Sequence, residues 1–294
     1  MSWFNPLAHR LLMFGAYRFP LWLRQFDRAV NTRRMLQQYR AVLDANPPLD
    51  GIHAGKKAFV IGNGPSIGKQ DLTLARGHVV FVMNEFHKHQ DYARIRPTYH
   101  YVFDDGLFEE IPYAVLFRSQ LMASQIDGTM FVVPATLHPI ARHRSSQFPA
   151  GTTAGVLNYN RMRELTPDQL AQLNFGLTLP WFFNVAQHCI LHGILMGCRE
   201  IVLLGLDHNY HLLNSEDQYF FAESHIDRTP AYDYDLLGKT NGSYYWWLTQ
   251  IWEDHILLKQ FAASRGVSII NATHGGLLDV YPRKRFESLV EKSG

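Results

Sequence analysis

The chain has 294 residues, with 28 Lys and Arg against 26 Asp and Glu, and nearly half of it is apolar. That length and composition fit one large folded domain, or a domain with an appendage, and exclude a disordered chain. Two cysteines, Cys189 and Cys198, fall in an apolar helix-like stretch without a CxxC pair, which argues for a reduced, cytoplasmic setting and against a disulfide scaffold or structural zinc.

Charge is unevenly distributed. Residues 1–40 hold Arg10, Arg18, Arg24, Arg28, Arg33, Arg34 and Arg40 against one acid, Asp27, interleaved with Trp3, Phe4, Phe14, Tyr17, Phe19, Trp22 and Phe26. Arginine mixed with aromatics suits a helical arm lying in the headgroup layer of an anionic membrane. No run of 18 apolar residues exists to span a bilayer, Pro20 interrupts a long helix, and the spread of arginines does not match a secretory signal. The expectation is a basic arm over 1–50, peripheral on the inner face of the membrane, with packing on the main domain as the alternative. Nucleic acid is not an expected partner. Pro47-Pro48 and Gly51 to Gly55 read as a linker into a domain over 51–294.

Beyond that linker, strand-like runs near 57–62, 78–83, 98–103, 129–133, 199–205 and 266–271 alternate with helix-like runs over 68–75, 107–121, 182–197 and 244–264. The alternation predicts an α/β fold, a Rossmann-like doubly wound and mostly parallel sheet. Ligands of such sheets bind beyond the carboxyl ends of the strands. Segment 206–245 breaks the alternation. It is polar and aromatic, and reads as a lid whose rings close over a sugar or a base.

Four predicted strand ends carry polar residues. After the first strand comes Gly62-Asn63-Gly64-Pro65-Ser66, a glycine-framed turn expected to open a helix and offer N–H groups to a phosphate. It is neither a Walker A loop nor a GxGxxG fingerprint. The others are Met83-Asn84-Glu85-Phe86, Phe103-Asp104-Asp105-Gly106 and Gly205-Leu206-Asp207-His208-Asn209-Tyr210.

The GNGPS turn, the asparagine-aromatic turn at Asn84 and Phe86, and the run Gly197 to Asp207 together resemble bacterial sialyltransferases of glycosyltransferase family 42. The carboxyl-terminal half is similar to bacterial polysaccharide-biosynthesis proteins with a 6-hydroxymethylpterin diphosphokinase-like domain. That likeness rests on Gly205 to Tyr210, Ser224-His225-Ile226-Asp227 and Asn271 to Arg283. The resemblance covers about 57–290. It implies a GT-A variant of the Rossmann-like fold and a metal-independent glycosyltransferase. The implied donor is a CMP-activated acidic sugar, such as sialic acid or Kdo, transferred to a surface glycan or glycolipid.

Carried across residue by residue, the resemblance places Gly62, Asn63, Gly64, Pro65, Ser66 and Asn84 at the donor. Asp105 stands where the sialyltransferases have asparagine, and Asn184 near their Thr-Ser-Gly stretch. Asp207, Tyr210 and Thr273 complete the expected donor site, with Lys239 or Arg228 as cations for the leaving phosphate. No histidine stands at Trp247 to Gln250, where those enzymes keep their base. The candidates for that role are His225, in the lid, and His208, because imidazole suits proton transfer at neutral pH. Neither a metal nor a cofactor is expected. Asp104-Asp105 is not a DxD motif, and His188 and His192, four apart on an apolar helix, read as a packed core pair. Two rival readings stand beside this one. One is pyrophosphate transfer from ATP to a pterin alcohol through Asp104, Asp105 and Asp207; the other is a non-catalytic nucleotide- or glycan-binding subunit.

Overall fold

The computed structural model describes residues 21–138, 148, 153–154, 161–209, 212, 219–221 and 241–290. Side chains are described from 32 onward in the first helix and from 245 onward in the last, and not at 153–154. Among the described residues seven strands form one sheet: β1 Lys57–Ile61, β2 Val79–Met83, β3 Tyr99–Tyr101, β4 Met130–Val133, β5 Thr153–Ala154, β6 Glu200–Leu204 and β7 Ser268–Asn271. Their order is β5-β4-β3-β2-β1-β6-β7 and every pairing is parallel.

Strands such as Val79–Met83 are buried on both faces, as a parallel sheet covered by helices requires. Ala58, Val60, Phe81, Ile201 and Leu203 pack under helices α3 Val185–Leu195 and α4 Asn241–Ser264. Phe59, Ile61, Val80, Val82, Val202 and Leu204 face the other side, under the turns Pro65–Lys69 and Leu72–Ala75. Helix α2, Pro112–Ala123, closes that second face over β4 through Phe117 and Leu121. The chain builds β1 to β5 outward in one direction, then crosses back to lay β6 on the other side of β1. Ile61 is therefore registered with both Val82 and Leu204, and the reversal of strand order falls at the β1–β6 boundary. Such a switch point is where an open α/β sheet leaves a crevice for ligand.

The six expected strands are present within a residue or two, and β5 is a seventh that the sequence did not suggest. The helix expected over 68–75 is instead two short 3₁₀ turns. Asp71 interrupts it by accepting from the Thr73 N–H and hydroxyl, which starts a new turn. The run 107–121 likewise splits. Asp104 caps a 3₁₀ turn over Asp105–Phe108, and Pro112 then opens α2. Asn184 caps α3 and sets its start, while α4 begins earlier than expected, at Asn241.

Helix α1, Leu21–Asp44, begins directly after Pro20. Met35, Leu36, Tyr39, Val42 and Leu43 pack around Ala135, just past the carboxyl end of β4. Residues 49–55 are packed rather than loose. Leu49 is buried, the Asp50 carboxylate accepts from Phe175 N–H, and three N–H groups of Gly51, His53 and Gly55 bond to Leu195, Met196 and Gly197 carbonyls at the end of α3.

The loop at the end of β3 is held by one buried cation. Arg118 of α2 donates Nη1 to the Leu107 and Glu109 carbonyls at 2.9 and 2.8 Å, and Nη2 to Glu110 at 3.0 Å. Arg118→Met should lower the unfolding free energy by roughly 2–4 kcal/mol, because buried carbonyls lose their donor. Urea denaturation measures this, and a loss under about 1 kcal/mol would contradict the assignment.

Candidate functional site

The turns after β1 and β6 interlock at the switch point. Gly62 N–H donates to the Leu204 carbonyl at 2.8 Å and Gly64 N–H to the Gly205 carbonyl at 3.0 Å. A Cβ on Gly62 would lie 2.6 Å from the Gly205 carbonyl oxygen, and one on Gly64 would overlap the Asp207 carboxylate. Gly205 itself has φ +63°. The glycines are thus demanded by the close approach of the Gly205 backbone and the Asp207 carboxylate. The turn also opens no α-helix. Pro65 begins a five-residue 3₁₀ piece with Gly64 as its N-cap, too short to carry a helix dipole of consequence.

Ser66 does not cap that turn with its side chain. Its hydroxyl donates to Asp207 Oδ2 at 2.8 Å, joining the two turns across 141 residues. Asp207 is 4% exposed. Burial raises its pKa, against the lowering effect of the Ser66 hydroxyl, the N–H groups of Ser66 and Asp207, and Lys69. A third loop closes behind it. Leu277 N–H donates to the Asp207 carbonyl at 2.8 Å, and Thr273 Oγ1 accepts from Leu206 N–H at 3.2 Å. Thr273 is buried in that task and scaffolds the β6 turn.

His208 adopts φ +49°, rare for a side chain other than glycine, and is fully buried. Its Nε2 lies 3.0 Å from Nε2 of His255, whose Nδ1 lies 3.0 Å from the Tyr281 hydroxyl. Tyr281 donates to the His255 carbonyl at 3.1 Å, so His255 Nδ1–H donates to Tyr281 and His208 Nε2–H donates to His255. Burial holds His208 near pKa 4 and His255 well below the usual imidazole range. In this arrangement His208 has no exposed nitrogen to offer an acceptor hydroxyl; it fixes the turn that carries Asp207.

The other strand ends divide into scaffold and free capacity. Asn84, at φ +45°, accepts from Phe103 N–H through Oδ1 at 3.2 Å, and its carbonyl accepts from His100 Nε2 at 2.7 Å, tying the ends of β2 and β3. Asn184 spends Oδ1 on Ala186 N–H as the cap of α3. Asp104 accepts from Gly106 N–H, while Asp105 is exposed beside it. Asn63 differs. Its Nδ2 donates to the Met83 carbonyl at 3.2 Å, but among the described residues its buried Oδ1 has no partner. Tyr210, His225, Arg228 and Lys239, and most of the lid 206–245, lie outside the described residues.

Arg161 and Asp254 were not legible in the sequence, being 93 positions apart without a motif. Arg161 Nη2 meets the fully buried Asp254 at 2.6 Å and lies over the Phe183 ring at 4.3 Å, next to Asn184. His188 and His192 are core residues as expected. His192 Nδ1 bonds the Tyr101 hydroxyl at 2.6 Å, and His188 Nε2 accepts from Phe182 N–H. Among the described residues no three His, Cys, Asp or Glu side chains gather as metal ligands. In particular Asp104, Asp105 and Asp207 do not converge, and the pterin diphosphokinase reading gains no support. Cys189 and Cys198 are free, buried thiols.

No family model and no curated protein matches this chain. Among solved structures, the sialyltransferase CstII from Campylobacter jejuni in complex with the substrate analogue cytidine-5'-monophosphate overlaps 78% of this chain and 85% of its own, at 17% identity and a TM-score of 0.45. CST-II in complex with a trisaccharide acceptor and CMP gives the same coverage and TM-score at 16% identity. The overlap is partial, and no residue role passes from those structures to this chain.

Two expectations follow from the interlock. Gly64→Ala should destabilise the fold by about 2–4 kcal/mol, since the new methyl strikes Asp207 rather than open space; a melting temperature within a degree of wild type would refute the packing described. His208, held neutral, contributes stability that is present above its unfolded pKa of 6.5 and is lost as pH falls toward 4. Between pH 7 and 4, His208→Gln should therefore lose roughly 2–3 kcal/mol less stability than wild type in urea titrations. Parallel pH profiles would exclude His208 as a source of the acid sensitivity.

Proposed function

We propose that the protein is a glycosyltransferase holding a nucleotide-sugar donor in the crevice beyond β1, β2 and β6. The observation that carries this reading is Asn63. Among the described residues its buried Oδ1 has no donor at the switch-point edge, and a buried acceptor left so costs on the order of 1–3 kcal/mol. A ribose hydroxyl or the amino group of a base, bound in the crevice, would satisfy it. Asp207, Asn84 and Asp105 follow β6, β2 and β3 on the same edge of the sheet, and segment 206–245, read as a lid, follows β6 in the sequence.

The donor we favour is a CMP-activated acidic sugar, and the acceptor a bacterial surface glycan or glycolipid. In the proposed step the acceptor oxygen attacks the anomeric carbon and the bond from that carbon to the phosphate oxygen breaks. The electron pair leaves on the nucleotide phosphate, and the hydroxyl proton passes to the imidazole of His225. The configuration inverts. Arg228 or Lys239, with Tyr210, would neutralise the leaving phosphate in place of a metal. Helix α1 would keep a lipid-linked acceptor within reach. Its apolar face packs beyond the carboxyl end of β4 while Arg33 and Arg34 are exposed. No described helix is long and apolar enough to cross a membrane.

A second reading, a nucleotide- or glycan-binding subunit without turnover, is favoured by one observation, the complete burial of His208. Calorimetric titration with CMP, UDP and GDP tests the nucleotide premise, and failure of all three to bind would sink the glycosyltransferase and leave only a glycan-binding subunit. Asn63→Ala should weaken the nucleotide that binds by about tenfold. His225→Ala should slow donor hydrolysis by roughly a hundredfold or more at unchanged nucleotide affinity. Bound nucleotide with no turnover in wild type would select the binding subunit.

A further inference from the structure

On the edge of the sheet opposite the crevice, where the strands begin, lies a cavity of about 600 Å³. Lys57 and Val79 open β1 and β2, Thr98 and Arg199 precede β3 and β6, and all four line it together with His53, Lys56 and His78. Five of its lining residues are basic or titrate to a cation. The acid at hand, Glu200, is engaged by Lys57 at 3.0 Å, and Lys57 also donates to the Leu289 carbonyl. Lys56 and Arg199 are exposed, and among the described residues neither side chain is held in an ion pair.

Basic groups often gather at the amino edge of such a sheet to offset the carbonyl ends of helices. Here that task is already discharged, because the carbonyls of Leu195, Met196 and Gly197 accept from the Gly51, His53 and Gly55 N–H groups at 2.8–3.0 Å. A second observation points the same way. His53 is more than nine-tenths buried and bonds the Tyr99 hydroxyl through Nε2 at 2.8 Å, but among the described residues its Nδ1 has no partner. When the ring is protonated, or when Tyr99 donates to Nε2, Nδ1 carries a proton and is a donor in want of an acceptor.

We infer that this cavity is a second ligand site, for a phosphate-bearing anion held by Lys56, Arg199 and His53. Its volume suits a phosphate ester of nucleotide size, with Leu289 and Val290 as the apolar wall. The same chemistry would take the headgroup of an anionic lipid. The site does not rest on the glycosyltransferase reading and lies on the edge opposite it. Its affinity is pH-dependent. His53 faces Lys56 and Tyr99, and His78 faces Lys57, whose own acid is Glu200. Burial and then the neighbouring lysine lower both imidazoles below their ordinary value. A bound anion removes that repulsion, so binding takes up protons and strengthens as pH falls.

The full-length chain would be titrated with pyrophosphate by calorimetry at pH 6 and pH 8. In a separate experiment it would be sedimented with phosphatidylcholine vesicles with and without phosphatidic acid. We expect at least one probe to bind, roughly tenfold tighter at pH 6 than at pH 8, and to lose about tenfold or more in K56E/R199E. Binding of pyrophosphate assigns a soluble phosphate ester; binding of acidic vesicles alone assigns a headgroup. K56Q/R199Q serves if the charge reversal fails to fold. Proton NMR of the His53 C2–H should move with the bound probe. The inference falls if neither probe binds, if both double variants bind as wild type does, or if the His53 resonance does not shift.

Discussion

The arrangement of the crevice depends on two strand-end turns being able to touch. Gly62 and Gly64 meet Gly205 and Asp207 at distances no side chain at those glycine positions would permit, and the Ser66 hydroxyl closes the contact on Asp207. Because β1 lies between β2 and β6, that contact sits where the strand order reverses. Everything placed around it follows. Asn63 is pinned to the end of β2 by Met83, and Asp207 is aimed across the switch point. The third loop, through Gly276 and Leu277, can then close behind. A carboxylate so enclosed is costly unless hydrogen-bonded, and here the Ser66 hydroxyl and two N–H groups meet that need.

The same edge concentrates backbone strain. Asn84 and His208, each ending a strand, occupy the left-handed region that most side chains avoid at about 1 kcal/mol or more. Each is held there by specific bonds. Asn84 spans the β2 and β3 ends, and His208 anchors to His255 and, through it, to Tyr281. The polar residues at this edge thus fall into two kinds. Ser66, Asn84, Thr273 and His208 build the walls, and Asn63 retains bonding capacity that the other described residues do not use. The opposite edge of the sheet carries its own unspent donors around Lys56, Arg199 and His53, so the two ends of the sheet are chemically distinct.

Much of the frame could be read from residue order. Val79 to Met83 and Ile201 to Leu204 are apolar on every residue, which only a strand covered on both faces tolerates in so short a run. Their alternation with helical stretches gave the parallel, doubly wound sheet. The misreadings were local. Asp71 and Asp104 are short acids that bond nearby N–H groups, and that competition turned expected helices into 3₁₀ turns. β5 was missed because two residues carry no periodicity.

The sequence by itself determined the strands, the order of polar strand ends and the candidates Asn63, Asn84, Asp105 and Asp207, since these depend on composition and spacing within a few residues. Only the tertiary structure decided what each one does. Whether a glycine makes room for a ligand or for another turn depends on a neighbour distant in the chain, as Ser66 meets Asp207 across 141 residues. So does whether His208 faces solvent or His255. The Arg161–Asp254 pair and the basic cavity of Lys56 and Arg199 also exist only where distant segments meet, because charge complementarity acts through space and leaves no mark on local order.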